Sequence, residues 1–260
     1  MNPMNTVIFA GAGPGDPDLV TVKAMNKLKT ADLIIFAGSL VPEAVLCWKG
    51  EKTKTLSSEN MDLTQIVETI REYHSKDLKV VRLHTGDPSL YGAILEQMRE
   101  LGKLNIPYEV IPGVTAAFAA SAKMKMEYTL PEETQTLILT RISGRTPVPD
   151  TENLEKLAAH RSSMAIYLSI GHVKKVQAIL ETSYGKKSLC AVAYKVSHPE
   201  EKIIYTKIEH LAKTCEKHRI TRHALIIVGK AVEASINPGH SGSSKLYDSG
   251  FSHGYRSAQK

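Results

Sequence analysis

The sequence predicts an α/β protein built from two α/β domains. Three observations carry that prediction. Short apolar runs of strand length recur at Val7–Ala10, Leu33–Ala37, Val80–Leu83 and Tyr108–Ile111, each followed by a Gly or Pro turn signal. Helical periodicities lie between them: Leu63, Ile66, Val67, Ile70 and Tyr73 share one helix face, and so do Ile94, Leu95, Met98 and Leu101. A second series of strand-sized runs follows, spaced more closely than the first.

In the first half, alternation of strand and helix points to a largely parallel sheet. In the second half, strands are expected at Thr136–Thr140, Met164–Leu168, Leu189–Tyr194, Lys202–Thr206 and Ala224–Val228. Helices are expected at Thr151–Ala159, Val173–Leu180 and Lys207–Lys213. The short spacing of the later strands favours antiparallel pairs among them. Pro112-Gly113, followed by the Ala-rich run Ala116–Ala122, reads as a strand end entering a helix. The domain boundary is placed there: 1–113 as the first domain and 114–236 as the second. A polar loop, Ser143–Asp150, interrupts the second domain. Residues 237–260 are rich in Ser and Gly and poor in aliphatic residues, and are expected to be a disordered tail.

Bulk composition excludes more than it assigns. Hydrophobic residues at 42% and charged residues at 23% suit a globular chain with its own core. Cys47, Cys190 and Cys215 are scattered and odd in number, which argues against a disulfide framework or a zinc ribbon. They read as three reduced, buried thiols. No signal peptide and no apolar run of membrane-spanning length is visible, so a cytoplasmic setting without membrane partners is expected. The net charge is +6, but the Lys and Arg are scattered and not interleaved with aromatics. That disfavours a nucleic-acid face and leaves open a basic surface that attracts a small polycarboxylate.

Two loops carry the chemistry. The first, Gly11-Ala12-Gly13-Pro14-Gly15-Asp16-Pro17, follows a strand directly. It fails as a dinucleotide fingerprint because Asp16 stands where the third glycine belongs, and no acidic residue closes the next strand at Phe36-Ala37-Gly38. It fails as a P-loop because no Gly-Lys-Ser/Thr ends it. Three glycines in five residues still permit positive φ and close backbone approach to a ligand, and the prolines stiffen the loop. Asp16-Pro17 has the grammar of an N-cap followed by N1, for a helix through Val20 and Ala24. The second loop, His84-Thr85-Gly86-Asp87-Pro88, repeats the order strand, glycine, Asp-Pro, helix. For Asp87, helix capping and ligand contact both stay open. A third strand end, Ile111-Pro112-Gly113-Val114-Thr115-Ala116, has small residues where a ligand would sit.

In this order and spacing the motifs resemble the S-adenosylmethionine-dependent methyltransferases of cobalamin and siroheme synthesis. The matching stretches are Val7–Ala24, Ala31–Val41, Val80–Ala93, Glu109–Ala120 and Thr221–Gly229, so the resemblance spans nearly all of residues 6–236. Ala37-Gly38-Ser39-Leu40-Val41 and Thr140-Arg141-Ile142-Ser143-Gly144-Arg145 are most similar to the branch that methylates C-11 of precorrin-4 or cobalt-precorrin-4. Siroheme-branch members commonly carry an Asp near Ser39, which this chain lacks.

The resemblance implies a tetrapyrrole methylase-like fold with a cofactor cleft between two α/β domains, a homodimer, an anionic tetrapyrrole substrate and S-adenosyl-L-methionine as co-substrate. It implies no resident metal. Carried over residue by residue, it implies cofactor contacts at Pro14, Thr85, Gly86, Asp87, Thr115, Ala116, Leu168, Ala193 and Ala224. Tyr91, Arg141, Arg145 and Lys195 are candidates for the substrate. His84 and Tyr91 are the nearest candidates for a general base, His84 equally as a structural residue and Tyr91 as a helix residue. Two other classes remain: a relative acting at another ring position or on diphthine or ribosomal RNA, and a non-catalytic cofactor or corrinoid carrier. A salt-dependent gel shift and single-turnover methyl transfer separate them.

Overall fold

Apolar central strands buried on both faces build the first sheet. The structure is a computed structural model and describes residues 5–38, 41–237 and 244–258. Strands β1 (Val7–Gly11), β2 (Leu33–Phe36), β3 (Lys54–Ser57), β4 (Val80–His84) and β5 (Tyr108–Ile111) pair in the order β3-β2-β4-β1-β5. Every pairing is parallel, as the alternation of elements predicts. Ile8, Ala10, Ile34, Val81 and Leu83 point into one layer with Ala24 and Leu28 of helix α1 (Val22–Thr30). Val7, Phe9, Leu33, Ile35 and Val80 point into the other. There they meet Ile66, Val67 and Ile70 of α2 (Leu63–Ser75) and Ile94 and Leu101 of α3 (Ile94–Lys103). Asp62 and Gln65 close a reciprocal capping box at the start of α2.

The second sheet is mixed. Strands β6 (Leu137–Arg141), β7 (Ser163–Tyr167), β8 (Leu189–Tyr194), β9 (Lys202–Lys207) and β10 (Ala224–Val228) pair in the order β6-β7-β10-β8-β9. β6 and β7 are parallel, and β10 runs antiparallel to both β7 and β8. β8 and β9 are antiparallel too, so the closely spaced later strands pair as expected. Helices α5 (Leu154–Ala158), α6 (Val173–Tyr184) and α7 (Leu211–Lys217) supply Leu154, Val176, Leu180, Leu211 and Cys215 to the core of this half. Helix α8 (Lys230–Ile236) follows β10.

The chain divides into two compact units: Met1–Ala119 with Ser197–Pro199, and Ala120–Val196 with Glu200–Lys260. The division falls inside α4 (Ala116–Lys123), later than Val114, because the first turns of that helix stay with the strand end that leads into it.

Several local expectations are corrected. The helix after Asp16-Pro17 is broken: Asp16 caps only a 3-10 turn, Pro17–Leu19, and Val20 is extended. Thr21 then caps α1 by accepting from the Ala24 N–H. No helix starts at Pro88; residues 88–91 form turns, and α3 begins at Ile94 after a left-handed Ala93. Lys207–Lys213 resolves into a 3-10 turn, Ile208–His210, and then α7. Cys47 is exposed, so only Cys190 and Cys215 are buried thiols. Ser39 and Leu40, part of the Ala37–Val41 signature, lie outside the described residues.

In the C-terminal segment, residues 244–258 carry a 3-10 turn, Lys245–Tyr247. The Arg256 guanidinium donates to the Leu246 and Asp248 carbonyls, so this segment closes on itself. No helix among the described residues is long and apolar enough to cross a membrane.

Candidate cofactor-binding site

In the first unit, β1 lies between β4 and β5, with Ala10 opposite both Leu83 and Ile111. The chain leaves β1 toward β2 on one side and later crosses it to reach β5 on the other. An open parallel sheet binds ligands at such a reversal, outside the carboxyl ends of its strands. Three loops leave those ends side by side. Gly13 and Gly86 form an isolated bridge: Gly86 N–H donates to Gly13 O at 2.8 Å, and Gly13 N–H to Gly86 O at 3.3 Å. Ala12 N–H donates to His84 O at 2.7 Å. Gly113 N–H donates to Asp87 Oδ2 at 2.8 Å, which ties the second loop to the third.

Glycine is needed here for two separate reasons. At Gly11, a Cβ would lie 2.5 Å from Gly113 Cα and 2.5 Å from the Gly86 oxygen, so the three loops meet with no room for a side chain. At Gly86 the demand is conformational. Its φ is +60°, and a Cβ there would meet only Thr115 Cα at 3.7 Å and Val114 O at 3.9 Å. Space is therefore open beside the Gly86 backbone, a cradle that a side chain would fill.

Asp87 settles as a tie. Its Oδ1 accepts from the Ser89 backbone N–H at 2.8 Å and from the Ser89 hydroxyl, while Oδ2 holds Gly113. Burial raises its pKa, but the hydrogen bonds from Ser89 and Gly113 outweigh burial and hold it below the usual carboxylate value. The carboxylate thus braces two loops. Thr115 is buried, and its carbonyl accepts from Phe118 and Ala119 at the start of α4, with Ala116 as the first helical residue. Pro14 is buried; Thr85 is half-buried. The structure therefore gathers Gly86, Asp87 and Thr115 with the Gly13 loop.

His84 does not fit a general base. His84 is buried, stacks on Phe9, and has no partner for Nε2. Burial, helped by the charge of Arg82, pushes its pKa down to about 3. A base that weak holds a proton in roughly one molecule in ten thousand at pH 7. The buried imidazole makes stability depend on pH. The unfolded imidazole takes up a proton below its ordinary value of 6.5, whereas the folded one resists until about 3. Its contribution is fully present above 6.5 and is lost as pH falls through that window. His84→Phe is expected to flatten the fall in Tm across the same interval, as read by thermal denaturation at stepped pH. Tyr91 sits in the turn before α3 with φ +58°, outside any helix, and is substantially exposed.

In the second unit, Leu168, Ala193 and Ala224 come to one end of the central strands of the mixed sheet. Ile226 of β10 pairs with both Ile166 and Val192, so the carboxyl ends of β7 and β8 flank the start of β10. Ala193 is buried opposite Leu225, and Ala224 pairs with Tyr194. Leu168 has φ +51° and is 64% exposed, an apolar residue held out from the fold in a conformation that costs about 1–2 kcal/mol. Leu168→Gly should relieve about 1 kcal/mol of that, net of glycine's extra chain entropy, and raise Tm in a melting experiment.

The basic candidates separate. Arg141 donates to the Thr146 and Pro147 carbonyls at 3.1 and 2.9 Å, so its guanidinium clamps the 143–149 loop. Lys195 pairs with Glu200 at 3.0 Å. Arg145 is exposed on the clamped loop. Three structural roles have no counterpart in the sequence pattern. Gly11 and Gly113 meet only through long-range packing. Ser169, fully buried, signals nothing until β6 and β7 are seen together.

The sequence profile described as Tetrapyrrole (Corrin/Porphyrin) Methylases matches residues 6–212. The chain belongs to this family. Among its relatives is a cobalt-precorrin-4 C(11)-methyltransferase of Methanocaldococcus jannaschii. It is 46% identical over 98% of this chain and 97% of its own length. A precorrin-4 C(11)-methyltransferase of Pseudomonas aeruginosa is 44% identical over 88% of this chain and 91% of its own.

Among solved structures, the cobalamin biosynthetic enzyme cobalt precorrin-4 methyltransferase, CbiF, superposes with a TM-score of 0.86 at 39% identity. The match covers 88% of this chain and 96% of that one. Uroporphyrin-III C-methyl transferase from Thermus thermophilus, complexed with S-adenyl homocysteine, matches with a TM-score of 0.73 at 25% identity. It covers 88% of this chain and 94% of its own. Membership in the tetrapyrrole methylases accords with the glycine-bare strand ends of the first unit.

Proposed function

We propose that this tetrapyrrole methylase transfers a methyl group from S-adenosyl-L-methionine to C-11 of precorrin-4 or cobalt-precorrin-4, giving the corresponding precorrin-5. The observation that carries the reading is the near-full-length likeness, at 46% identity, to a relative named for that position.

When bound, S-adenosylmethionine supplies a methyl group on positively charged sulfur, which the substrate carbon attacks as the carbon–sulfur electron pair stays on sulfur. What is left to the chain is alignment and exclusion of water. The residues present suit that role. The Gly86 cradle leaves backbone bare for the cofactor, and Asp87 holds the second and third loops in register. Thr85, Thr115 and Ala116 border the same strand ends. Pro14 stiffens the first loop. In the second unit, Leu168 offers an apolar contact, and Ala193 and Ala224 keep the strand ends small. For the substrate carboxylates, Arg145 is the better candidate than Arg141, whose donors already hold the loop. Lys195 contributes charge if the carboxylates displace Glu200.

The test pairs binding with turnover. Calorimetry with S-adenosylhomocysteine should give a saturable site. Incubation with methyl-labelled S-adenosylmethionine should then label precorrin-4 or cobalt-precorrin-4 and leave uroporphyrinogen III unlabelled. Label in uroporphyrinogen III alone would overturn the assignment. A homodimer is part of the same reading. It is supported by Tyr108 and Val110, exposed on the edge strand β5, and sedimentation should report twice the chain mass.

A further inference from the structure

We infer that Ser169 is a positioning residue for the methyl-transfer site, acting through Leu168. The inference rests on the reading above, in which Leu168 touches the cofactor. Ser169 is completely buried. Its hydroxyl makes two bonds that link the exits of neighbouring parallel strands. It donates to the Tyr167 carbonyl at 2.5 Å and accepts from the Ile142 N–H at 2.8 Å.

The first bond reaches back two residues and closes a tight bend over Leu168. The second ties that bend to the residue following β6, which is itself buried. Ser169 has φ −115° and leads into the 3-10 turn Ile170–His172, whose His172 N–H donates to the Ser169 carbonyl at 2.9 Å. The chain is therefore fixed on both sides of Leu168. This is what forces an exposed leucine into left-handed backbone, a state that leucine leaves whenever its surroundings permit.

The bend also anchors the loop after β6. That loop is clamped internally by Arg141 and approached at Gly144 by the His172 ring, whose Nε2 lies 3.0 Å from where a Cβ would stand. One hydroxyl thus sets the pose of Leu168 and the take-off of the loop bearing Arg145. A serine meets both demands of the position. It is small enough for a fully buried site, and its hydroxyl can donate and accept at once, as it does here.

A double-mutant cycle tests this. Leu168→Ala, Ser169→Ala and the double variant are assayed by calorimetry with S-adenosylhomocysteine and by steady-state methyl transfer, well below each variant's Tm. Ser169→Ala should raise Kd and the cofactor KM about tenfold, with kcat little changed. In the Leu168→Ala background the same change should add almost nothing, because the residue it positions is gone. If Ser169→Ala does not fold, Ser169→Cys, with its weaker donor and acceptor, should show an intermediate loss.

Additive effects of the two alanines, or a lowered Tm with unchanged KM, would overturn the positioning role while leaving the cofactor site in place. Unchanged affinity in Leu168→Ala alone would remove the contact on which the inference depends.

Discussion

Gly11→Ala is expected to destabilise the first unit by about 3 kcal/mol, the upper range for forcing atoms into a packed interior. The cause is steric and local. The added methyl would lie 2.5 Å from Gly113 Cα, 2.5 Å from the Gly86 oxygen and 2.8 Å from Gly113 N. All three are backbone atoms, so no rotamer change relieves the clash. Gly11 ends β1, paired with His84 of β4, and Ala10 beside it pairs with Ile111 of β5. Relief therefore requires prying the central strand from both neighbours or parting the loops that follow. Thermal denaturation should show Tm lower by about 10 °C for a unit of this size. A Tm within about 2 °C of the parent would mean that the three loops do not converge as described.

Gly86→Val should act differently, sparing the fold and removing cofactor affinity. The nearest atoms to a Cβ at Gly86 stand at ordinary contact distance, so packing is not the obstacle. The backbone, at φ +60°, costs a non-glycine residue about 1–2 kcal/mol, and a β-branched residue somewhat more. That leaves a folded protein of lowered Tm. The branched methyls would project into the space beside Thr115, where the proposed site needs bare backbone. Calorimetry should show affinity for S-adenosylhomocysteine weakened at least about a hundredfold, with circular dichroism unchanged. A folded variant that binds as well as the parent would show that the cofactor lies elsewhere. The two glycines thus separate what the loops need in order to pack from what they need in order to bind.

Much of this architecture is legible in the chain because the signals are local. Val7–Gly11, Leu33–Phe36 and Val80–His84 are apolar enough to declare themselves as strands, and the glycines that end or follow β1 and β4 mark where the loops come together. β3 escapes because Lys54–Ser57 is an edge strand with all four residues exposed and no apolar alternation. The start of α1 is hard to place because Asp16-Pro17 and Thr21 are both sound capping signals five residues apart, and the first governs only a 3-10 turn. Asp87 is ambiguous for a similar reason. Its sequence neighbours suggest a cap, but the partner that decides its role, Gly113, is 26 residues away. Arg141 reads as a free cation because the carbonyls it holds belong to a loop with no sequence signature of its own. Ser169 gives no signal at all, since a buried serine is informative only when both of its partners are known.

The central claim is methyl transfer to one carbon of one macrocycle. It is tested most directly by incubating the protein with S-adenosylmethionine carrying a carbon-13 methyl group and either precorrin-4 or cobalt-precorrin-4. The product is then read by mass spectrometry and carbon-13 nuclear magnetic resonance. A single labelled methyl is expected, bonded to C-11, with S-adenosylhomocysteine formed in equal amount. Label at any other ring position, or no label in the presence of demonstrated cofactor binding, would contradict it.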